Sequence, residues 1–235
     1  MANNYSRRQF LRTGAGLAAA IAFGSLEALA EDKNPETLAA EETRKAIAAA
    51  TIKRDGKSYL KAGNLQLEIV DPKITGLPKE YVDALNTGVP LVYLTQGALS
   101  EQITEHFTLG EFAIIPTPSS NNGINIPVYE FKGVTYHQFI RLDPRLPGKL
   151  EQLRTVLNMP ININSPYRNV TYNKFCKGEE KSRHKAGQAA DLTADSLSKL
   201  YSLADKQFQN GGVGYYPKRD FVHVDVRGFK SRWKK

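Results

Sequence analysis

The chain has 235 residues and a formal net charge of +8 at neutral pH, from 32 Lys and Arg against 24 Asp and Glu. A basic surface favours polyanionic partners, but the sequence has no nucleic-acid-binding motif, so we expect no nucleic acid partner. Cys176 is the single cysteine, which excludes an intramolecular disulfide. We expect it to be a buried small hydrophobic residue and not a nucleophile.

The first 30 residues have the three parts of a secretory signal: a basic start, an apolar middle and a small-residue end. Arg7 and Arg8 precede Phe10, and the apolar stretch ends in Ala28-Leu29-Ala30. The paired arginines indicate a twin-arginine signal, so 1–30 is the predicted signal peptide, cleaved after Ala30. No later segment is long and apolar enough to span a membrane. We therefore expect a protein of the periplasm or cell envelope without a transmembrane anchor after cleavage.

Residues 31–102 form a predicted N-terminal extension of unknown role. Its pattern indicates a helix that begins at Pro35, strands at 65–70 and 89–94, and a helix over 77–86 between these two strands. The extension contains no chemical motif.

A second predicted domain covers residues 103–235. Strand-like runs at 105–114 and 128–140 come first, and Lys132-Gly133 is the predicted hairpin turn. A helix follows over 143–158, with leucines at helical spacing facing the core. Further along the chain we expect strands at 160–165, 189–193, 212–216 and 221–226, and a helix capped by Asp195 after the second of these. This order predicts an α+β fold, with a mostly antiparallel sheet and helices packed on one side.

Two histidines lie near carboxylates in this domain. His184 is followed seven residues later by Asp191, and the Gly and three Ala between them allow a tight turn. His223 lies in FVHVDV, where side chains of a strand alternate, so Asp225 shares its face. Two imidazoles and one carboxylate can hold zinc and leave a fourth position open for water. Spacing alone, however, favours ordinary core or surface histidines.

The sequence segments around these histidines favour a metal site over ordinary histidines. SPYRNVTYN, SRHKAGQAADL and GGVGYYPKRDFVHVDV, in this order, resemble the zinc D-Ala-D-Ala peptidase family, which belongs to a wider group with lysostaphin-like peptidases and hedgehog proteins. The resemblance covers roughly residues 103–233 and is strongest to twin-arginine-exported murein endopeptidases. It implies a hedgehog/D,D-peptidase-like zinc peptidase domain that acts on peptidoglycan. D-Ala-D-Ala carboxypeptidase, dipeptidase or a zinc-retaining wall-binding module without catalysis are the alternatives.

The resemblance also assigns roles to residues. It implies one zinc ion held by His184, Asp191 and His223. Arg168 matches the family arginine and would hold a substrate carboxylate or the oxyanion. Ser182 would support substrate binding through a hydrogen bond. The segment around Arg168 departs from the family pattern, because SPYRN has Pro and Asn where Gly and Ser are usual.

Two carboxylates compete for the role of general base. Asp225 stands two residues after His223 and is our first choice, although it can equally orient that histidine as a hydrogen-bond partner. Asp220 stands three residues before His223, where some relatives have their catalytic acid. Lys218 and Arg219 beside it would lower its pKa and make it a poorer base.

Overall fold

The structure is a computed structural model, and it describes residues 34–71, 87–95, 97–113, 130–131, 134–135 and 139–235. The predicted signal peptide, the helix predicted over 77–86 and the turn at Lys132-Gly133 lie outside these residues. No helix in the described ranges is long and apolar enough to cross a membrane.

An N-terminal helix leads into the first sheet. Helix α1 begins at the predicted Pro35 and covers Pro35–Ala50. The strands of the sheet are β1 (Thr51–Arg54), β2 (Lys57–Ala62), β3 (Leu65–Val70), β4 (Leu91–Tyr93) and β7 (Phe139–Arg141). They are joined in the order β1-β2-β3-β4-β7, and every neighbouring pair is antiparallel.

The strand predicted over 105–114 is wrong, because this segment contains a short helix, α2 (Leu109–Phe112), after a 3-10 helix at Gly97–Ser100. Thr108 and Glu111 form a capping box, in which the Glu111 carboxylate accepts from the Thr108 backbone N–H at 2.8 Å. This pair of residues is a local helix-start signal. Beyond α2, β5 (Glu130–Phe131) and β6 (Val134–Thr135) pair antiparallel on either side of the predicted turn.

Within the described residues, the later part of the chain forms three α-helices and a second sheet. Helices α3 (Arg145–Leu157), α4 (Val170–Phe175) and α5 (Leu197–Gln207) alternate with strands. The strands are β8 (Asn162–Ser165), β9 (Ala189–Thr193), β10 (Gly212–Tyr216), β11 (Phe221–Asp225) and β12 (Ser231–Lys234). Their order is β12-β10-β11-β9-β8, antiparallel except for the parallel pair of β10 and β12. The α+β prediction is confirmed, although the described residues form two five-stranded sheets where one was expected.

One face of this second sheet is part of the hydrophobic core. Leu192 of β9, Val213 of β10 and Val224 of β11 are fully buried, and they belong to the same core cluster as α3 and α5. The predicted core leucines of α3 are all buried: Leu146, Leu150, Leu153 and Leu157. The cap predicted at Asp195 is wrong, because Ser196 occupies the N-cap position of α5 and makes no side-chain capping bond. Residues of the first sheet join this core too, and the domain boundary at residue 103 stays a prediction.

The opposite face of the second sheet brings the polar residues together. In the strand register, Gly214 lies opposite both Trp233 and His223. His223 in turn lies opposite Asp191, and Asp191 lies opposite Ser165. Because directly opposed residues point to the same face of a sheet, these five positions form one row across all five strands. The alternation that turns the valines into the core therefore turns His223 and Asp191 to the other face, where both are still largely buried.

Candidate metal centre

Three predicted ligands meet at the centre of this row. His184 Nε2 lies 3.1 Å from His223 Nδ1 and 3.2 Å from Asp191 Oδ1, and His223 Nδ1 lies 2.9 Å from Asp191 Oδ1. We call these three atoms the donor triad. The corners of a tetrahedral zinc site with bonds of about 2.0–2.1 Å are about 3.3 Å apart. The spacing of the donor triad therefore fits a small tetrahedral metal ion with one open position.

The other nitrogen of each imidazole is fixed by a hydrogen bond. His184 Nδ1 lies 2.7 Å from the carbonyl oxygen of Pro166, which can only accept, so Nδ1 carries the proton and Nε2 keeps its lone pair. His223 Nε2 lies 3.1 Å from Oδ2 of Asp225, which in the same way leaves Nδ1 free to bind. Such partners orient metal-binding histidines and raise their basicity, so the chemistry of the triad also fits zinc.

The electrostatics of the cluster stabilise anionic carboxylates. Burial alone would raise the pKa of Asp191, but His184 and His223 hold it well below its usual value. Burial would lower the pKa of His223, yet the hydrogen bonds to Asp191 and Asp225 raise it to about 9. Burial lowers the pKa of His184 in spite of Asp191. A cation at the donor triad would therefore take the place of the proton that these carboxylates attract.

A tight turn brings His184 to Asp191. Residues Arg183–Ala186 form a 3-10 helix, and Gly187 ends it with φ 65°, in the left-handed region. A Cβ at Gly187 would lie 1.9 Å from the carbonyl oxygen of Arg141, so no other residue fits without displacing the backbone. Both the backbone conformation and the close packing at this position of SRHKAGQAADL therefore require glycine.

Asp225 lies behind the donor triad and is fully buried. Oδ1 accepts from the backbone N–H of Gly212 at 3.0 Å and of Arg227 at 3.1 Å. Oδ2 accepts from Nη2 of Arg227 at 2.6 Å and faces His223. A Cβ at Gly212 would lie 2.2 Å from this oxygen. Both oxygens are thus occupied by hydrogen bonds. Burial would raise the pKa of Asp225, but Arg227 and His223 hold it well below its usual value.

Arg168 contacts a triad residue directly. Its Nη2 donates to Oδ2 of Asp191, and its Nε donates to Ser165 Oγ at 2.7 Å. The two departures from the family pattern have structural roles on either side of it. The carbonyl of Pro166 fixes the ring of His184, and the side chain of Asn169 caps α4 by accepting from Tyr172 N at 2.7 Å.

The donor triad opens into a cavity of about 680 Å³, which we call the main cavity. Arg168 and Ser182 both line it, and the Ser182 hydroxyl makes no capping bond. Trp233 forms part of the wall, with its ring 5.2 Å from that of His223 and its indole N–H donating to the Tyr216 hydroxyl at 2.7 Å.

Two further residues of the sequence analysis, Asp220 and Cys176, make no hydrogen bond to the donor triad among the contacts of the described residues. Asp220 is exposed at a turn with φ 55° and does not line the main cavity. Cys176 is half-buried and lines the main cavity, so the expectation that it is buried is wrong. Arg227, the partner of Asp225, was not among the residues predicted from the sequence. Extending the alternation of FVHVDV by one more step, to the second residue after Asp225, would have pointed to it.

Two segments of the chain match known families. Residues 4–24 match the signal sequence of the twin-arginine translocation pathway, and residues 131–233 match the family described as peptidoglycan L,D-endopeptidase MepK. The chain therefore has an export signal of this pathway, and its location is the periplasm or cell envelope. This family implies a bound metal ion, and the donor triad belongs to a group of residues that could hold one.

Curated relatives match over a similar segment. MepK of Escherichia coli (strain K12) is 32% identical over 105 residues, which are 41% of this chain and 57% of the relative. A probable peptidoglycan L,D-endopeptidase MepK of Haemophilus influenzae is 32% identical over 108 residues, 42% of this chain and 57% of that relative. The chain thus spans a little over half the length of these relatives. Residues 131–233 are therefore similar to the zinc D-Ala-D-Ala peptidase-like family, and within it to the branch that MepK represents.

Proposed function

We propose that this protein is a zinc-dependent murein endopeptidase, which hydrolyses peptide bonds in the stem peptides or cross-links of peptidoglycan. The observation that carries the proposal is the donor triad, whose two imidazole nitrogens and one carboxylate oxygen lie 2.9–3.2 Å apart at the wall of a large cavity. The similarity of residues 131–233 to peptidoglycan L,D-endopeptidases supports the substrate class.

In this proposal His184, Asp191 and His223 hold one zinc ion. When bound, zinc lowers the pKa of a water molecule to about 7 and polarises the carbonyl of the scissile bond. Two residues keep the ligands in place: Asp225 fixes the tautomer of His223, and Arg168 fixes the carboxylate of Asp191. Such partners hold a site within the small tolerance that catalysis needs.

Arg168 and Ser182 have a second role toward substrate. A guanidinium has five N–H donors, and the bonds to Asp191 and Ser165 leave further donors on a residue that lines the main cavity. We assign to Arg168 the binding of the developing oxyanion or of a substrate carboxylate. The Ser182 hydroxyl, which lines the same cavity, would bind a polar group of the peptide.

We assign to Asp225 the orientation of His223 in preference to proton transfer. The carboxylate of Asp225 faces Nε2 of His223, the ring nitrogen that points away from the donor triad. Its oxygens already accept hydrogen bonds from Arg227 and Gly212. A general base must reach the proton that it removes, directly or through one water. Asp220 stays the alternative candidate for the base, although it is exposed and does not line the main cavity.

The test is digestion of purified muropeptides with the zinc-loaded protein, with identification of the products by mass. Conversion of cross-linked dimers to monomers is the expected result. Loss of one or two C-terminal residues would instead indicate a carboxypeptidase or dipeptidase. Zinc bound at one ion per chain without any product would overturn the peptidase proposal in favour of a wall-binding module. His184→Ala is the control that removes the metal ligand.

A further inference from the structure

The wall of the main cavity is strongly basic. Eight of its eighteen lining residues are Lys or Arg, whereas two, Glu179 and Asp191, are acidic. Asp191 belongs to the donor triad, and Glu179 lies 3.4 Å from the ammonium group of Lys235. The cavity therefore has an excess of positive charge close to the triad, which favours an anionic ligand.

Three arginines of this wall differ in their partners. Arg168 is paired with Asp191, and Arg227 is paired with Asp225. Arg183 makes one long hydrogen bond of 3.4 Å, to the amide oxygen of Gln188, and its guanidinium lies 6.0 Å from the ring centre of Phe229. Among the residues that the structure describes, no carboxylate forms an ion pair with Arg183.

The surroundings of Arg183 leave its charge under-compensated. The side chain is half-buried. The neighbouring Arg227 has the same sign of charge, and the carboxylates that act on Arg183 from a distance are those of Asp225 and Glu36. Asp225 is already neutralised by Arg227 itself. A buried or half-buried guanidinium is usually paired, since removal of its charge from water is unfavourable.

Arg183 also lies where two cavities meet. A smaller cavity of about 200 Å³ runs beside α1, and Glu36 and Thr43 belong to its wall. The two cavities share three lining residues, Lys181, Arg183 and Arg227. Arg183 and the donor triad line the same main cavity, so a peptide that fills this cavity from the triad outward would pass the junction.

We propose that Arg183, with Lys181 beside it, binds a free carboxylate of the substrate peptide at a position away from the cleaved bond. The inference rests on the proposed peptidase function and adds to it a requirement for an anionic substrate group. A carboxylate is the anionic group that a peptide offers, and a guanidinium binds it through two parallel hydrogen bonds. The group is either a side-chain carboxylate or the C-terminal carboxylate.

The test uses binding, so that its result does not depend on turnover. The probes are three synthetic cross-linked stem-peptide analogues in which a ketomethylene replaces the cross-link amide. One has all carboxylates free, one has its side-chain carboxylates as carboxamides, and one has its C-terminal carboxylate as a carboxamide. The zinc-loaded protein should bind one of the two carboxamides about 10-fold or more weakly than the free acid. The weaker probe identifies which carboxylate is recognised.

Two variants of Arg183 make the assignment specific. Arg183→Gln should bind all three probes with affinities within about threefold of one another. Arg183→Lys should keep part of the preference, because lysine keeps the charge and loses the planar fork. Lys218→Gln is the matched control, since it removes one charge from an exposed position of the same wall and should leave the preference intact.

Several outcomes would overturn the inference. The first is equal binding of the three probes by the unmodified protein. The second is an equal loss of affinity for all three probes in Arg183→Gln at unchanged zinc content. The third is a loss of the preference for the free acid in Lys218→Gln. Should Arg183→Gln not fold, the comparison of Arg183→Lys with the unmodified protein decides. Preferential binding of the free acid without cleavage of natural cross-links would contradict the proposed function but support the carboxylate site. Cleavage of cross-links without any preference among the probes would support the proposed function and overturn the carboxylate site.

Discussion

Nε2 of His223 lies 3.1 Å from Oδ2 of Asp225, while Nδ1 of the same ring lies 2.9 Å from Oδ1 of Asp191. One imidazole is therefore held between two carboxylates with different tasks. Asp191 is on the side of the donor triad, and Asp225 is on the buried side with Arg227. This arrangement separates the proposed metal ligand, Asp191, from the residue that sets the tautomer of His223, Asp225.

The first prediction concerns Asp225→Asn. An Asn can still accept from His223 Nε2, but it cannot compensate Arg227, so we expect the zinc affinity to fall about 10-fold to 100-fold. Most of the hydrolytic rate should return when zinc is saturating. The measurements are zinc titration and the initial rate of muropeptide cleavage at several zinc concentrations.

Asp220→Asn is the matched control, because it removes a carboxylate that is exposed and outside the main cavity. We expect unchanged zinc affinity and a nearly unchanged rate. A variant with stoichiometric zinc and a rate about 100-fold lower is the profile of a lost general base. If Asp225→Asn has that profile, Asp225 transfers the proton, and if Asp220→Asn has it, the base is Asp220.

The second prediction is one zinc ion per chain, bound only at the donor triad. His184→Ala should remove both zinc and activity, because two ligands do not hold zinc in a three-ligand site. His106 tests the stoichiometry. It is exposed and lies 2.5 Å from Glu151, beside Glu105, in a second cluster of metal-binding residue types. His106→Ala should leave the count at one, whereas a fall from two ions to one would reveal a second site.

The third prediction is that Cys176 is not catalytic, although it lines the main cavity. Tyr172 interacts with its thiol, and burial together with Cys176 raises the pKa of this phenol, so that it stays protonated at neutral pH and does not act as a base. Cys176→Ser should keep most of the activity. Complete loss of activity with zinc still bound and an unchanged melting temperature would refute this assignment.

The residues of the donor triad could be anticipated from the resemblance of the strings around them, because the spacing of the two histidines and Asp191 alone favours ordinary core or surface residues. FVHVDV alternates at the period of a strand, and the register confirms that His223 and Asp191 lie on one face of the sheet. The role of Asp225 could not be chosen in advance, because the alternation gives the face of a side chain and not the nitrogen that it approaches. That choice depends on Arg227 and on the absent side chain of Gly212, which come from different strands and loops.

The extension before residue 103 was less predictable. Asp55 and Gly56, both with positive φ, form the turn between β1 and β2, and Asp-Gly is a strong hairpin signal. The charged residues around it, such as Lys53 and Lys57, hide the alternation, so these two strands were not anticipated. The segment of α2 has the aromatic content that is typical of a strand. Its capping box is a helix-start signal, and the segment is helical in the structure.

The fourth prediction concerns export. The signal is the part of the chain where Arg7 and Arg8 precede Phe10, within the segment that matches twin-arginine signal sequences. Replacing both arginines with Lys keeps the charge and removes the pair that the receptor reads. The precursor should then accumulate in the cytoplasm, as fractionation and immunoblotting would detect. Normal export of the double variant would contradict routing by this pathway.

The last prediction is that Gly187→Ala is strongly destabilising and weakens zinc binding. A non-glycine residue at φ 65° costs about 1–3 kcal/mol from its backbone conformation alone, and the new Cβ would lie 1.9 Å from the carbonyl oxygen of Arg141. Relief of this contact must move the turn that holds His184, so zinc affinity should fall together with the melting temperature. Gly148→Ala is the control: it lies in α3, a Cβ there meets nothing within 4 Å, and the change should stabilise the helix by about 0.5–1 kcal/mol. Equal thermal stability of the two variants would show that the turn at Gly187 does not constrain the donor triad.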